Sequence, residues 1–366
     1  MEFKVEKGDF VKAVGLVGNA AVQKSNALPI LGNILFKSVD KNHIKVIATD
    51  LEIGISVVIP AVVLKDGSVT LPSKKIYEIV RELPEGEIEV IVGKNNAVNI
   101  KAGKSYFKIM GLGEEDYPKL PEWNPQEAVE LDQSLLKESL LLTSFAISHD
   151  ETRYVLNGVL LSVNGNRIRF VATDGRRLAF VEKQLNQTPK KNFEIIVPLR
   201  AIQELNKHLN WEGSVQVIPS QNQVVFVFGD NFLVSRVIEG HFPNYEQVIP
   251  KGETTKTMAD REEFLQAVRR TSLLTAPDAP AVKLDFVKGK ILVSSRSPNL
   301  GEAKEELPAD MNGRELAIGF NPHYLMDVLK NLDVEKVSLS LTDPDKPGLV
   351  GGKEGYLYVI MPMQLN

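Results

Sequence analysis

The chain repeats itself at a spacing of about 125 residues, and a repeat of that size constrains the fold more than any single motif does. "VIATDLEIGIS" at 46–56 returns as "FVATDGRRLAF" at 170–180, each copy setting Ala-Thr-Asp at the end of a β-branched run. Pro72 of "LPSKKIYEIVREL" corresponds to Pro198 of "VPLRAIQELNKHL", Pro118 of "EDYPKLPEW" to Pro243 of "GHFPNYEQVIP", and Val5 to Leu131. A fainter third copy restarts near Thr257 in "KTMADREEFLQAV" and sets Asn321 of "GFNPHYLMDVLKNL" near the Pro198 position. Three domains are expected, at 1–124, 125–250 and 251–366, with seams near Asn124 and Lys251.

Within each repeat the periodicities predict two helices and about eight short strands, an α+β domain that divides further into two half-repeats. First helices carry apolar residues at helical spacing: Phe10, Val14 and Val17; Leu136 and Leu140; Phe264, Leu265 and Val268. The six helices are expected over 7–23, 73–83, 132–148, 198–209, 260–275 and 321–332. Asp132, Asp260 and Ser73 are cap candidates, and Pro322 suits a first helical turn. Runs such as "HIKVIAT", "EIEVIVG", "VVFVFGD" and "YLYVIMP" are β-branched or aromatic and bounded by turn formers, as antiparallel strands should be. Ala-Thr-Asp then falls where a strand must turn, so its side chains are expected to bond backbone rather than substrate. Only the second copy follows it with Gly175, Arg176 and Arg177, which make a basic, open turn.

Composition removes several function classes. The 366 residues contain no cysteine, which excludes disulfides, a thiol nucleophile and Cys-ligated metals, and fits a reducing, cytoplasmic setting. "MEFKVEKGDF" has no apolar run after its charges, unlike a signal peptide. Gly103-Lys104-Ser105 lacks the earlier glycine of a phosphate loop, since position 98 is Val98, and no His-Glu-x-x-His, Gly-x-Gly-x-x-Gly or Gly-x-Ser-x-Gly occurs. His149-Asp150-Glu151 could serve acid/base chemistry, but polar residues closing a helix are the commoner meaning. No catalytic residue, metal or cofactor is expected. A net charge of −4 gives no basic signature overall, so any attraction to nucleic acid must come from how the charge is distributed.

"TRYVLNGVLL", "ATDGRRLA", "GHFPNYEQVIP", "GFNPHYLMDVL", "LPILGN" and "VIMPMQL", in this order and spacing, resemble the bacterial sliding clamp, the beta subunit of the replicative DNA polymerase. The similarity runs the whole length. It implies a non-enzymatic processivity factor: three repeated clamp domains per chain, each with two helices and two antiparallel sheets, and two chains head to tail in a ring around duplex DNA. Helices would face the hole and sheets form the outer layer. The helix stretches carry a small positive balance against an acidic remainder, and Lys12, Lys24, Lys137, Arg200, Lys207, Arg269 and Arg270 are candidate phosphate contacts. Arg153 and Tyr154 match family positions that approach DNA; Val155 stands where some relatives carry a second tyrosine.

Two further sites follow from the resemblance. A dimer seam would set Lys104, Phe107, Lys108 and Ile109 against Leu273, Leu274, Glu302, Glu305 and Glu306. A cleft for short peptide tails of polymerase, clamp loader and repair proteins would be lined by Leu156, Thr173, Gly175, Arg176, Arg177, Leu178, Pro243, Val248, Asn321, Tyr324, Pro347, Val359, Ile360, Met361, Pro362, Met363 and Gln364, with methionine suited to promiscuous apolar binding. Gln364 replaces a usual arginine, Asn366 extends past the terminal leucine, and Arg176 stands where histidine is common. The alternatives are a duplicated-domain hydrolase or transferase, which would lose turnover on substitution of His149 and Asp150, and a repeat scaffold without DNA.

Overall fold

Six times among the described residues the same order recurs: a strand, a helix, then three strands, with one extra strand in the first instance. The computed structural model describes residues 1–22 and 28–364. The first third runs β1 (Glu2–Glu6), α1 (Lys7–Gly18), β2 (Asn33–Ser38), β3 (His43–Thr49), β4 (Ile53–Pro60) and β5 (Val62–Lys65), then β6 (Ser68–Pro72), α2 (Ser73–Glu82), β7 (Glu87–Val92), β8 (Ala97–Ala102) and β9 (Ser105–Met110). The second runs β10 (Val129–Asp132), α3 (Gln133–Ser144), β11 (Gly158–Asn164), β12 (Arg167–Thr173) and β13 (Arg177–Gln184), then β14 (Phe193–Pro198), α4 (Leu199–His208), β15 (Ser214–Pro219), β16 (Gln223–Phe228) and β17 (Asn231–Arg236). The third runs β18 (Thr255–Asp260), α5 (Arg261–Thr271), β19 (Val282–Val287), β20 (Lys290–Ser297) and β21 (Gly301–Gly313), then β22 (Leu316–Phe320), α6 (Pro322–Asn331), β23 (Lys336–Leu341), β24 (Gly348–Gly351) and β25 (Tyr356–Ile360).

Every strand pairing between these elements is antiparallel, and the sheets cross the repeats. Residues Met1–Lys137 with Arg200–Val237 form one compact unit, and Glu138–Leu199 with Ile238 onward form a second. The first holds a five-stranded sheet, β5-β1-β7-β8-β9, and an eight-stranded one, β10-β15-β16-β17-β4-β3-β2-β6. In the latter β17 of the second repeat pairs with β4 of the first, Phe232 opposite Ser56 and Ser235 opposite Ile53. The second unit holds a twelve-stranded sheet, β14-β11-β12-β13-β25-β24-β23-β18-β21-β20-β19-β22, in which β13 pairs with β25 of the third repeat, Arg177 opposite Ile360 and Val181 opposite Tyr356.

Helices lie on one face of these sheets because each carries a single apolar stripe. Phe10, Ala13, Val14 and Val17 of α1 are buried, and α1 packs on α2, β3 and β4. Phe264, Leu265 and Val268 do the same for α5 on α6, β20 and β21. Phe36, Leu161 and Leu284, one from each third, are all buried at corresponding positions. Asp260 caps α5 by accepting from the Glu263 N–H at 2.8 Å. Asn321 caps α6 through the His323 N–H at 2.9 Å, with Pro322 in the first turn. Ser73 does not cap: it is already helical, Pro72 holds the cap position, and no side chain bonds there. The first helix ends at Gly18, short of the expected 23, which lies outside the described residues; α5 ends at Thr271, where Ser272–Leu274 tighten into a 3-10 turn.

The opposite sheet faces show what the repeated proline segments do. Tyr117 is buried, its hydroxyl donating to the Asn33 and Ile47 carbonyls, while Trp123 packs on Phe232 at 4.7 Å and Leu120 joins the Ile218, Val225 and Val234 cluster. Phe242 and Tyr245 cover Leu160, Val171 and Leu178 in the same way. In the last third the corresponding face carries Lys283 paired with Asp285 at 2.7 Å and Lys304 beside Glu302, so it is polar and needs no such cover.

Both Ala-Thr-Asp copies build one and the same turn. Thr49 Oγ1 donates to the Ile53 carbonyl and accepts from the Leu51 N–H, and Asp50 Oδ1 accepts from the N–H groups of Glu52 and Ile53. Thr173, Gly175, Asp174, Arg176 and Arg177 repeat the pattern bond for bond. The turn demands a left-handed residue, filled by Leu51 at φ 76° and by Gly175 at φ 86°. Leu51→Gly is therefore expected to raise stability by about 0.5–1 kcal/mol, and Gly175→Leu to lower it by about 1–2 kcal/mol, both read by chemical denaturation.

Candidate functional site

The second Ala-Thr-Asp turn differs from the first in what its arginine does. Arg177 is only 9% exposed. Its Nε donates to Asp174 Oδ2 at 3.0 Å, Nη1 to Asp327 Oδ2 at 2.6 Å and Nη2 to the Phe145 carbonyl at 2.7 Å. The guanidinium lies over the Tyr324 ring at 4.5 Å. Burial alone would lower its pKa, but Tyr358, Asp327 and Asp174 more than offset that and hold it above the ordinary arginine value. Tyr358 in turn donates to the Tyr324 carbonyl at 3.0 Å, its phenol pushed up by burial. A buried cation with all three of its nitrogens engaged is a fixed strut, joining the turn after β12 to α6.

Around that strut the residues expected to line a peptide cleft divide by burial. Leu156, Thr173, Arg177, Leu178, Val359 and Ile360 are buried. Leu178 lies opposite Val359 in the β13–β25 pairing, and the chain beyond β25 is pinned by the Met361 N–H on the Arg176 carbonyl at 3.0 Å and the Met363 N–H on the Gly319 carbonyl at 2.8 Å. Gly175, Arg176, Pro243, Val248 at 45%, Met361 at 40% and Gln364 are exposed, and Asn321, Tyr324, Pro347, Pro362 and Met363 are half-buried. The Asn321 side-chain oxygen is committed to its helix cap. Nearby, Asp150 caps the 3-10 turn Glu151–Leu156 through the Thr152 N–H and hydroxyl, and these bonds hold its carboxyl below the usual range. The His149–Glu151 stretch thus has a structural use. Arg153 binds Asp150 Oδ2 at 3.0 Å and the Asp174 carbonyl at 2.8 Å, and Tyr154 beside it is exposed.

The helix cations divide by whether they are already engaged. Lys137 donates to the Leu209 carbonyl at 2.7 Å and sits over Trp211; Arg200 is paired with Asp50 and the Asn19 carbonyl; Lys207 with Glu204 at 2.7 Å; Arg270 with both oxygens of Glu305. Lys12 and Arg269 are exposed and have no ion-pair partner among the described residues. Lys24 lies outside those residues. Lys104, in the turn before β9, and Phe107 and Lys108 on it are exposed, and Ile109 is half-buried. Leu273 is 75% exposed on its 3-10 turn with Leu274 half-buried, and Glu302 and Glu306 pair with Lys304 and Lys290.

Three family models, for the N-terminal, central and C-terminal domains of the DNA polymerase III beta subunit, match residues 1–121, 130–244 and 246–364. The chain is 31% identical over 366 residues to the beta sliding clamp of Chlamydia muridarum, covering 100% of both, and 32% identical over 372 residues to that of Pseudomonas putida, again covering 100% of both. The chain belongs to the beta sliding clamp family. A crystal structure of the Bacillus subtilis DNA polymerase sliding clamp superposes with a TM-score of 0.94 at 30% identity, covering 100% of both chains. The clamp fold is α+β with three clamp domains, and a beta sliding clamp is a non-enzymatic processivity factor for DNA polymerase III in DNA replication, with DNA and polymerase as its partners. Among the described residues no helix of this clamp is long and apolar enough to cross a membrane.

Asp174, Asp327, Phe145 and Tyr358 hold Arg177, and sequence reasoning did not assign them to the site. Their signal was faint: Asp327 sits one turn past Tyr324 on the same helix, and Tyr358 alternates with buried Tyr356 on a strand, where both read as core. Arg177→Met is expected to destabilise the clamp by about 2 kcal/mol, at the low end for a broken buried pair because Asp327 is 37% exposed, whereas Arg176→Ala should stay within about 0.5 kcal/mol. Calorimetric unfolding of the two variants checks this.

Proposed function

We propose that two copies close head to tail into a ring around duplex DNA, and one observation carries this reading: the third sheet junction is missing from a single chain. By repeat position β9 corresponds to β17 and β25, and the start of β21 to β4 and β13. The pairings β17 with β4 and β25 with β13 are made within the chain. Among the described residues β9 pairs only with β8, and Gly301–Pro308 of β21 only with β20. A second copy would supply both missing partners, a heterologous contact that closes after two chains. Exposed Phe107 and Leu273 would be covered at that seam, with Lys104, Lys108, Glu302 and Glu306 at its rim.

In this reading domain seams fall near Asn124 and Lys251, the six helices of each chain face the DNA, and the protein works in the cytoplasm. Lys12 and Arg269, being unpaired, carry most of the contact with phosphate, while the engaged arginines contribute less because their charge is already neutralised. The cleft between Leu178 and Met363 takes short peptides from the polymerase subunit, clamp loader and repair proteins, whose apolar anchors would sit on the buried floor.

Light scattering on the eluting chromatographic peak should give twice the 40.6 kDa chain mass for wild type and a folded single chain for the Leu273→Ala, Leu274→Ala double variant. A monomeric wild type at micromolar concentration would contradict the ring. Lys12→Ala and Arg269→Ala should each reduce the slope of log affinity against log salt for a short duplex by about 1, and Arg200→Ala by clearly less.

A further inference from the structure

Beside the cleft, the outer face of the twelve-stranded sheet carries a cavity of about 450 Å³, a size suited to a side chain or small ligand. Three cross-strand rows define its position. The cleft row is Thr173–Leu178–Val359; next comes an apolar row, Ile196–Leu160–Val171–Phe180–Leu357; the third is polar, Glu194–Ser162–Arg169–Glu182. Four residues separate the outer rows along β12, about 13 Å. The segment that follows β17 forms the cavity's other wall with Phe242, Tyr245 and Glu246, the two rings 6.4 Å apart and edge on.

The charge in this cavity is unbalanced. Arg169 is bound to Glu182 at 2.6 Å and to Glu246 at 3.2 Å, so its guanidinium is spent. Glu194 has no ion-pair partner among the described residues, and it lies near enough to Tyr245 to act on its ionisation. Burial first, with Glu246 and Glu194, outweighs the opposing effect of Arg169 and keeps the phenol protonated beyond the ordinary tyrosine range. Two carboxylates, Glu194 and Glu246, therefore line the cavity with one guanidinium, while Glu182 outside the lining is shared between Arg169 and Arg167; together with the two aromatic rings this net negative setting favours a cation by charge and by ring contact.

We propose that this cavity receives an arginine or lysine side chain of a peptide docked in the cleft, about four residues along from its apolar anchor. The proposal rests on the peptide-cleft reading, with which the cavity shares Pro243 and the Leu160–Leu178–Val359 apolar cluster. An extended peptide covers the 13 Å between rows in about four residues.

The test is fluorescence anisotropy with two labelled peptides that share an apolar anchor and differ only in arginine or glutamine four residues away. The arginine peptide should bind wild type about fivefold more tightly, the preference should shrink with added salt, and Glu194→Gln should abolish it while leaving the glutamine peptide unchanged. Equal affinity for the two peptides, or a preference that survives Glu194→Gln, overturns the proposal. If neither peptide binds, the cleft reading fails by itself. N-acetyl-arginine amide then decides the cavity alone: shifts of the Phe242 and Tyr245 ring signals in wild type and not in Glu194→Gln uphold it, and no shifts overturn it.

Discussion

Antiparallel pairing between strands of different repeats is the interaction on which the rest of this structure depends. A half-repeat of one helix and four or five strands buries too little apolar surface to stand alone, and its outer strands would present unpaired backbone groups. Joining β17 to β4 and β25 to β13 satisfies those groups and fuses neighbouring repeats into continuous sheets. This is why the compact units cut through the central third of the chain, and why within each unit strands of different repeats share one sheet layer.

Two devices protect that layer. On the outer face the proline segments lay Tyr117 and Trp123, then Phe242 and Tyr245, over apolar strand residues, while the last third replaces the apolar face with Lys283, Asp285, Glu302 and Lys304. At the cleft, Arg177 fixes the turn after β12 to α6 by ion pairs on two sides. In the proposed reading, a docking peptide would meet a surface already ordered by that strut and pay little to order it.

Much of the fold was legible because repetition exposes it. The two Ala-Thr-Asp copies read as turns before any coordinates, and the bond-for-bond agreement at Thr49 and Thr173 shows why: a strand-ending Thr-Asp supplies one acceptor to each of the following amides. Helix starts were read less well. Ser73 matches a capping composition, yet the preceding Pro72 already takes the cap geometry and the serine enters the helix. What the sequence hid was partnership across long separations. Nothing local in "HYLMDVL" marks Asp327 as the counter-ion of Arg177, 150 positions away, and nothing marks Arg200 as held by Asp50 rather than free for phosphate. Charge counts treat all cations alike; the pairing of each one decides what it can still bind.

Topological linkage to DNA is the central claim, and retention on circular against linear DNA tests it most directly. Clamp placed on a nicked circular plasmid by a clamp loader, then passed over a sizing column at high salt, should remain with the DNA and be lost once a restriction enzyme linearises the circle. Equal loss from circular and linear plasmid, or retention that survives linearisation with free ends, would contradict an encircling ring and leave only electrostatic attachment.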